Sequence, residues 1–248
     1  MKLLRCLGTT AVAIAAFVNS ESAATAGAKS NAELCDSGGT VTPVAWIEAC
    51  SVAIRTDASQ KGRAVALYNR ARAHRANGDN KSAVADYTQA IGLLPDFAIA
   101  FQNRGVAYNA LGDTDRAITD YSQAIKLQPD LAVAYNNRGV AYKSKRQIDL
   151  AIHDLTMAIK LDEASPWAYN NRGDAHFLSG DWNSAVADYS HALALNPQLS
   201  YALFARGAAK TYRGDAIAGR ADMDAAIALN PKVAEEQARD GIRPGTGV

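Results

Sequence analysis

One motif returns along the chain at a fixed interval, and a fixed interval leaves few folds open. Asn-Arg-Gly stands at Asn103-Arg104-Gly105, Asn137-Arg138-Gly139 and Asn171-Arg172-Gly173, with relatives at Asn69-Arg70-Ala71 and Ala205-Arg206-Gly207, each 34 residues from the next. The same period carries Ala90, Ala124, Ala158, Ala192 and Ala226, and the prolines Pro95, Pro129, Pro197 and Pro231. Five units follow: 64–97, 98–131, 132–165, 166–199 and 200–233. Inside a unit the apolar spacing is helical. In the second, Phe101, Gly105 and Tyr108 share one face, and Ala117, Tyr121 and Ala124 share a face of a second helix. Between them Gly112 suits a positive φ beyond a helix end and Asp113 suits an N-cap, while Pro129 stops the second helix. Each unit reads as an αα-hairpin, which buries its apolar face only by stacking on its neighbours.

The columns Phe101, Gly105, Tyr108, Gly112-Asp113, Ala117, Tyr121, Ala124 and Pro129 resemble the tetratricopeptide repeat, and the resemblance covers residues 64–233. It implies an all-α fold, a right-handed superhelical solenoid of five helix-turn-helix units with helical caps. Two units depart from the pattern. Unit three has Arg146-Gln147 at the Gly-Asp turn and Glu163 at the proline, and unit five has Gly219 at the packing alanine. Each departure is expected to loosen its hairpin by ~1 kcal/mol. The flanks read as caps: a segment 27–63 with a helix over Val44–Arg55, and a segment 234–248 in which a helix from Lys232 to Asp240 ends at Gly241, with Arg243–Val248 a frayed tail.

The N-terminus is read apart from the fold. Lys2 and Arg5 precede an apolar run from Cys6 to Val18, followed by Ala24-Thr25-Ala26, the pattern of a secretory signal peptide spanning residues 1–26. The run is too short to span a bilayer, which takes ~20 apolar residues. Export places the mature chain in the periplasm or outside the cell, where Cys35 and Cys50, the two cysteines left, are expected to pair. A redox-active pair is disfavoured, because no Cys-x-x-Cys spacing is present. With 26 Lys+Arg against 25 Asp+Glu, the net charge of +1 gives no reason to expect nucleic acid as a partner.

Two charged columns share the period: Arg70, Arg104, Arg138, Arg172 and Arg206 on the first helices, and Asp86, Asp120, Asp154, Asp188 and Asp222 on the second. An anion-binding stripe is one reading of the arginines. A structural ion pair joining the two helices of each unit is the better one. The acidic column does not suit acid–base catalysis, since equivalent residues lie a whole unit apart. His74 and His176 occupy the column of Tyr108 and Tyr142 and read as packing substitutions. No Gly-rich phosphate loop, Gly-x-Ser-x-Gly or His-Glu-x-x-His motif occurs. No catalytic residue, metal site, cofactor or small-molecule substrate is therefore expected.

The resemblance assigns a concave groove to the first helix of each unit, on the side opposite the Gly column. That stripe carries Tyr68, Arg72 and Arg75, then Gln102 and Asn109, then Asn136 and Lys143, then Trp167, Asn170 and Phe177, and last Tyr201 and Phe204. It would run from basic through amide-rich to aromatic, with Trp167, Phe177, Tyr201 and Phe204 as an exposed patch and the Asn69, Asn103, Asn137 and Asn171 column offering amides to an extended ligand. The Lys and Asn set with which some family members grip a terminal carboxylate is not reproduced. The expected function is a non-enzymatic scaffold that binds a protein or peptide segment in the groove. The alternative is a structural subunit or assembly factor of a bacterial envelope or secretion complex.

Overall fold

A computed structural model describes residues 30–38 and 41–245, so the signal-peptide reading of residues 1–26 lies outside the described residues. Thirteen helices and no strand occur among them. The cap at the start contains α1 (Asn31–Asp36) and α2 (Pro43–Thr56). The first helices of the five units are α3 (Gln60–Ala76), α5 (Ala98–Ala110), α7 (Ala132–Ser144), α9 (Pro166–Ser179) and α11 (Ser200–Tyr212). Their second helices are α4 (Asn80–Leu93), α6 (Thr114–Leu127), α8 (Ile148–Leu161), α10 (Trp182–Leu195) and α12 (Ala216–Leu229), and α13 (Val233–Arg239) follows. Each helix packs on the next in chain order, the contact pattern of a solenoid.

Local chemistry sets the hairpins. Asp79, Asp113, Asp181 and Asp215 cap the second helices by accepting the backbone N–H three residues on. A residue with positive φ precedes each cap: Gly78, Gly112, Gly180 and Gly214, and in unit three Arg146 at φ 60. Unit three thus keeps the turn geometry without the glycine, and Gln147 makes no side-chain cap. Inside the hairpins, a Cβ added to Gly105 would stand 2.7 Å from the Tyr121 ring, so only glycine admits the aromatic packing. The expectation for Gly219 is reversed. A Cβ on Gly207 would lie 2.5 Å from the Gly219 carbonyl oxygen, against 3.2 Å from the Ala117 oxygen at Gly105. The missing methyl lets α11 and α12 approach more closely, where a loosened hairpin was expected.

The N-terminal cap contains more helix than expected. Ser30 and Glu33 form a capping box that starts α1, a signal legible as Ser-x-x-Glu, ahead of the Ser37-Gly38 turn. Cys35 and Cys50 are bonded, with Cα atoms 4.7 Å apart, and tie α1 to α2 over a core of Trp46, Ala53 and Ala66. Trp46 Nε1 donates to the Cys35 carbonyl at 2.8 Å. At the other end Val233 packs with Phe204 and Ala226, so α13 takes the place where the first helix of a further unit would sit.

Candidate functional site: the stripe on the first helices

The charged columns meet within each unit. Arg70, Arg104, Arg138, Arg172 and Arg206 each donate from Nε and Nη2 to both oxygens of Asp86, Asp120, Asp154, Asp188 and Asp222, at 2.6–2.9 Å. A planar guanidinium matches a carboxylate fork in this way. Asp86, Asp120, Asp154 and Asp188 lie almost wholly out of solvent, and Asp222 is part-buried. Hydrogen bonding to the carboxylate raises the Arg70, Arg104, Arg138 and Arg172 pKa values, against the opposing effect of burial. The third nitrogen reaches backwards: Nη1 donates to Ser51 at Arg70, Thr88 at Arg104, Ser122 at Arg138, Thr156 at Arg172 and Ser190 at Arg206. Each arginine therefore joins three helices and two neighbouring layers. Sequence reasoning missed this hydroxyl column, although Thr88, Ser122, Thr156 and Ser190 share the 34-residue period.

Histidines fill out the same network. His74 Nε2 lies 3.7 Å from Asp86 and Nδ1 3.8 Å from Asp79, and His176 stands alike beside Asp188 and Asp181. In unit five Lys210 takes that place, 2.7 Å from Asp222. Burial of the Asp222 carboxyl is outweighed by Arg206 and Lys210, and its pKa falls.

The groove stripe is only partly as expected. Trp167 is 51% exposed, whereas Phe177 is 4% and Phe204 3% exposed, so the aromatic patch is a correction. Phe177 lies edge-on to Trp182 at 4.9 Å and to Tyr212 at 5.6 Å. Phe204 is covered by α13, and Tyr201 donates its hydroxyl to Glu236 on that helix. Gln102 and Asn170 are also buried. The physical reason is that helical spacing identifies a side of a helix, while burial depends on what the partner helix, the next unit and the cap bring against it. The Asn column is engaged too: Asn69 donates to Asp36, Asn103 to the Tyr68 hydroxyl, and Asn171 to Asn136 at 3.0 Å, while Asn137 accepts from Asn136.

What stays open lies at the two ends. Arg72 rests over Trp46 at 5.2 Å and Tyr68 at 5.8 Å, and with Arg75 it lines an open recess at unit one. Asn109 is exposed, and Lys143 pairs with Asp174 at 2.5 Å, which also accepts from the Tyr189 hydroxyl. Burial pushes the Tyr189 hydroxyl well above its usual pKa, and Asp174 adds to this. A cavity of about 390 Å³ is lined by Lys143, Arg146, Trp167, Asn170, Tyr201, Arg239 and Asp240. Because its walls come from unit three and from beyond unit five, the stripe side is the concave one. Trp167 also lines a second cavity, of about 230 Å³, with Val133, Asn136 and Asp162. Among the described residues no group of three or more His, Cys, Asp or Glu could hold a metal ion, and no helix is long and apolar enough to cross a membrane.

No curated protein sequence matches the chain. Among solved structures, a tetratricopeptide repeat protein from Parabacteroides merdae is similar at 19% identity and a TM-score of 0.67, covering 85% of this chain and 88% of that one. YrrB, described as a TPR protein with an unusual peptide-binding site, is similar at 20% identity and a TM-score of 0.62 over 78% of this chain and 99% of its own. MamA is similar at 22% identity and a TM-score of 0.60, over 66% and 96%. These likenesses concern the fold. Family models described as tetratricopeptide repeat match residues 64–97, 132–164 and 166–199, and one described as TPR repeat matches 105–145. With its 34-residue units, paired helices and these matches together, the chain belongs to the tetratricopeptide repeat family.

Proposed function

We propose that the chain is a non-enzymatic scaffold, exported to an oxidising compartment such as a bacterial periplasm, which holds a protein or peptide segment against its concave face. The observation that carries this reading is Trp167, half exposed between cavities of about 390 and 230 Å³ while Phe177 and Phe204 on the stripe are buried. An indole with recesses on both sides is the kind of anchor on which interface energy concentrates. Arg72 and Arg75 at the far end favour a ligand with an acidic end at unit one. The peptide-binding description of YrrB supports the ligand class, and the Cys35–Cys50 bond supports the compartment.

The test is site-specific photo-crosslinking in the native envelope, with the crosslinker at Val133, which is 53% exposed beside Trp167, or at Ile217, which is 89% exposed on α12. Capture is expected at position 133. Trp167→Ala should weaken binding of the captured partner more than tenfold, about 1.4 kcal/mol, with far-UV circular dichroism unchanged. Capture at position 217 alone, indifferent to Trp167→Ala, would overturn the groove reading in favour of an envelope-assembly subunit that binds through its second helices.

A further inference from the structure

The concave face already has an occupant: residues 241–245 of the chain itself. After α13 the backbone turns at Gly241, with φ +87, and the Ile242 N–H donates to the Gln237 carbonyl at 2.9 Å. The chain then lies against α9, α11 and the Arg146 turn of unit three. A Cβ added to Gly241 would stand 3.2 Å from Leu178 Cδ2 in unit four and 3.3 Å from the Arg146 guanidinium in unit three. Ile242 is 0% exposed, in the core cluster that holds Phe177, Ala205, Ala208 and Ala209. Gly245 comes against the Tyr212 ring at the end of α11. Arg243 and Pro244, in the part expected to fray, are exposed, yet the residues on either side of them are seated.

Arg146 is the one non-glycine residue with positive φ among the described residues. Four other units place glycine at that turn, so the side chain is kept where the backbone disfavours it. That side chain reaches Gly241 and the cavity beside Trp167. A strained residue in contact with the tail is explained if holding the tail is its role.

Resting on the groove reading above, we propose that residues 240–245 are a built-in ligand of the concave face, which a partner segment displaces by offering the same chemistry: a residue without a side chain under Arg146, followed by an aliphatic residue in the slot of Ile242. Tethering gives the internal copy a high effective concentration, so a free segment competes with it at a disadvantage. Release of the tail opens units three to five to the partner, and Arg146 acts as a positioning residue for the closed form.

The probe is an acetylated, amidated peptide copying residues 239–245, titrated into full-length processed protein and followed by two-dimensional NMR. Ile242→Asp, which unseats the tail, should bind the peptide at least tenfold more tightly than the unaltered protein, with shifts confined to α9, α11 and the Arg146 turn. A peptide carrying Ile242→Asp should produce none of these shifts. Equal affinity of the folded variant and the unaltered protein, or equal binding of both peptides, overturns the proposal. If Ile242→Asp does not fold, Gly241→Ala decides, since it lies outside the helices and disturbs the tail at a positive φ while leaving Arg146 and the slot unaltered. At least threefold tighter peptide binding supports the proposal, and unchanged binding overturns it. Partner crosslinking at position 133 is independent of this peptide, so a failure here is distinguishable from a failure of the groove reading.

Discussion

Arg138 and Asp154 show what single residues do in this protein. Arg138 donates twice to the buried Asp154 and once to Ser122 in the preceding layer, with the Tyr135 and Tyr142 rings at 5.7 and 5.9 Å. Removing one partner leaves a desolvated charge, so Arg138→Ala and Asp154→Ala should each destabilise by about 3–5 kcal/mol. The double variant should lose clearly less than the sum, and strict additivity in a urea-denaturation cycle would remove the pairing. Gly105→Ala, with its new methyl against the Tyr121 ring and the Ala117 carbonyl, should cost about 1–3 kcal/mol by overpacking. Arg146→Gly should add about 1 kcal/mol of stability by relieving a positive φ, measured by the same denaturation. Tyrosines set the alkaline limit. Burial pushes the Tyr87 pKa up to about 12, against the pull of Arg75, and also raises those of Tyr121 and Tyr189. The folded state favours the neutral phenols, so their stabilisation is complete below the ordinary tyrosine value of about 10 and is lost as pH rises through the folded values. Phenolate absorbance and helical circular dichroism should therefore change together above pH 10, and phenolate formation with the helices intact would contradict the coupling.

Elements depend on stacking more than on their own propensity. In four of the five units an aspartate caps the second helix, and each hairpin stops near a proline or its substitute, yet none has a core without its neighbours. Unit three lacks the turn glycine, the aspartate cap and the proline, and still forms α7 and α8, because units two and four present finished surfaces on both sides. The caps are the exception to plain stacking. Closing a loop of about 15 residues, the Cys35–Cys50 bond contributes roughly 3 kcal/mol in the chain-entropy account. Thiol titration of unreduced, denatured processed protein should find no free thiol. After reduction, hydrogen exchange should quicken in α1, α2 and α3 and remain unchanged in α11, because a solenoid transmits stability only to adjacent layers. Uniform quickening along the whole chain would contradict that picture.

At the scale of the whole molecule, the solenoid brings together residues that no local pattern relates: Arg146 of unit three, Trp167 of unit four and Arg239 beyond unit five line one cavity. The period alone determined the number of hairpins, their turns and the family. Shared spacing of the Arg and Asp columns determined the ion-pair partners, because a 34-residue repeat places equivalent side chains in equivalent surroundings. The N-terminal α1 was legible in Ser30 and Glu33 as well, masked by the glycines that follow. Exposure was not legible. Trp167 and Phe177 stand on one stripe with the same hydrophobic character, and only the arrival of Trp182 and Tyr212 buries the second. Phe204 is buried by α13, and Ile242 is fully buried one residue before the stretch whose sequence reads as loose coil. These outcomes belong to the tertiary structure because burial is a property of pairs of surfaces, and the periodicity of one helix does not say which surface meets it.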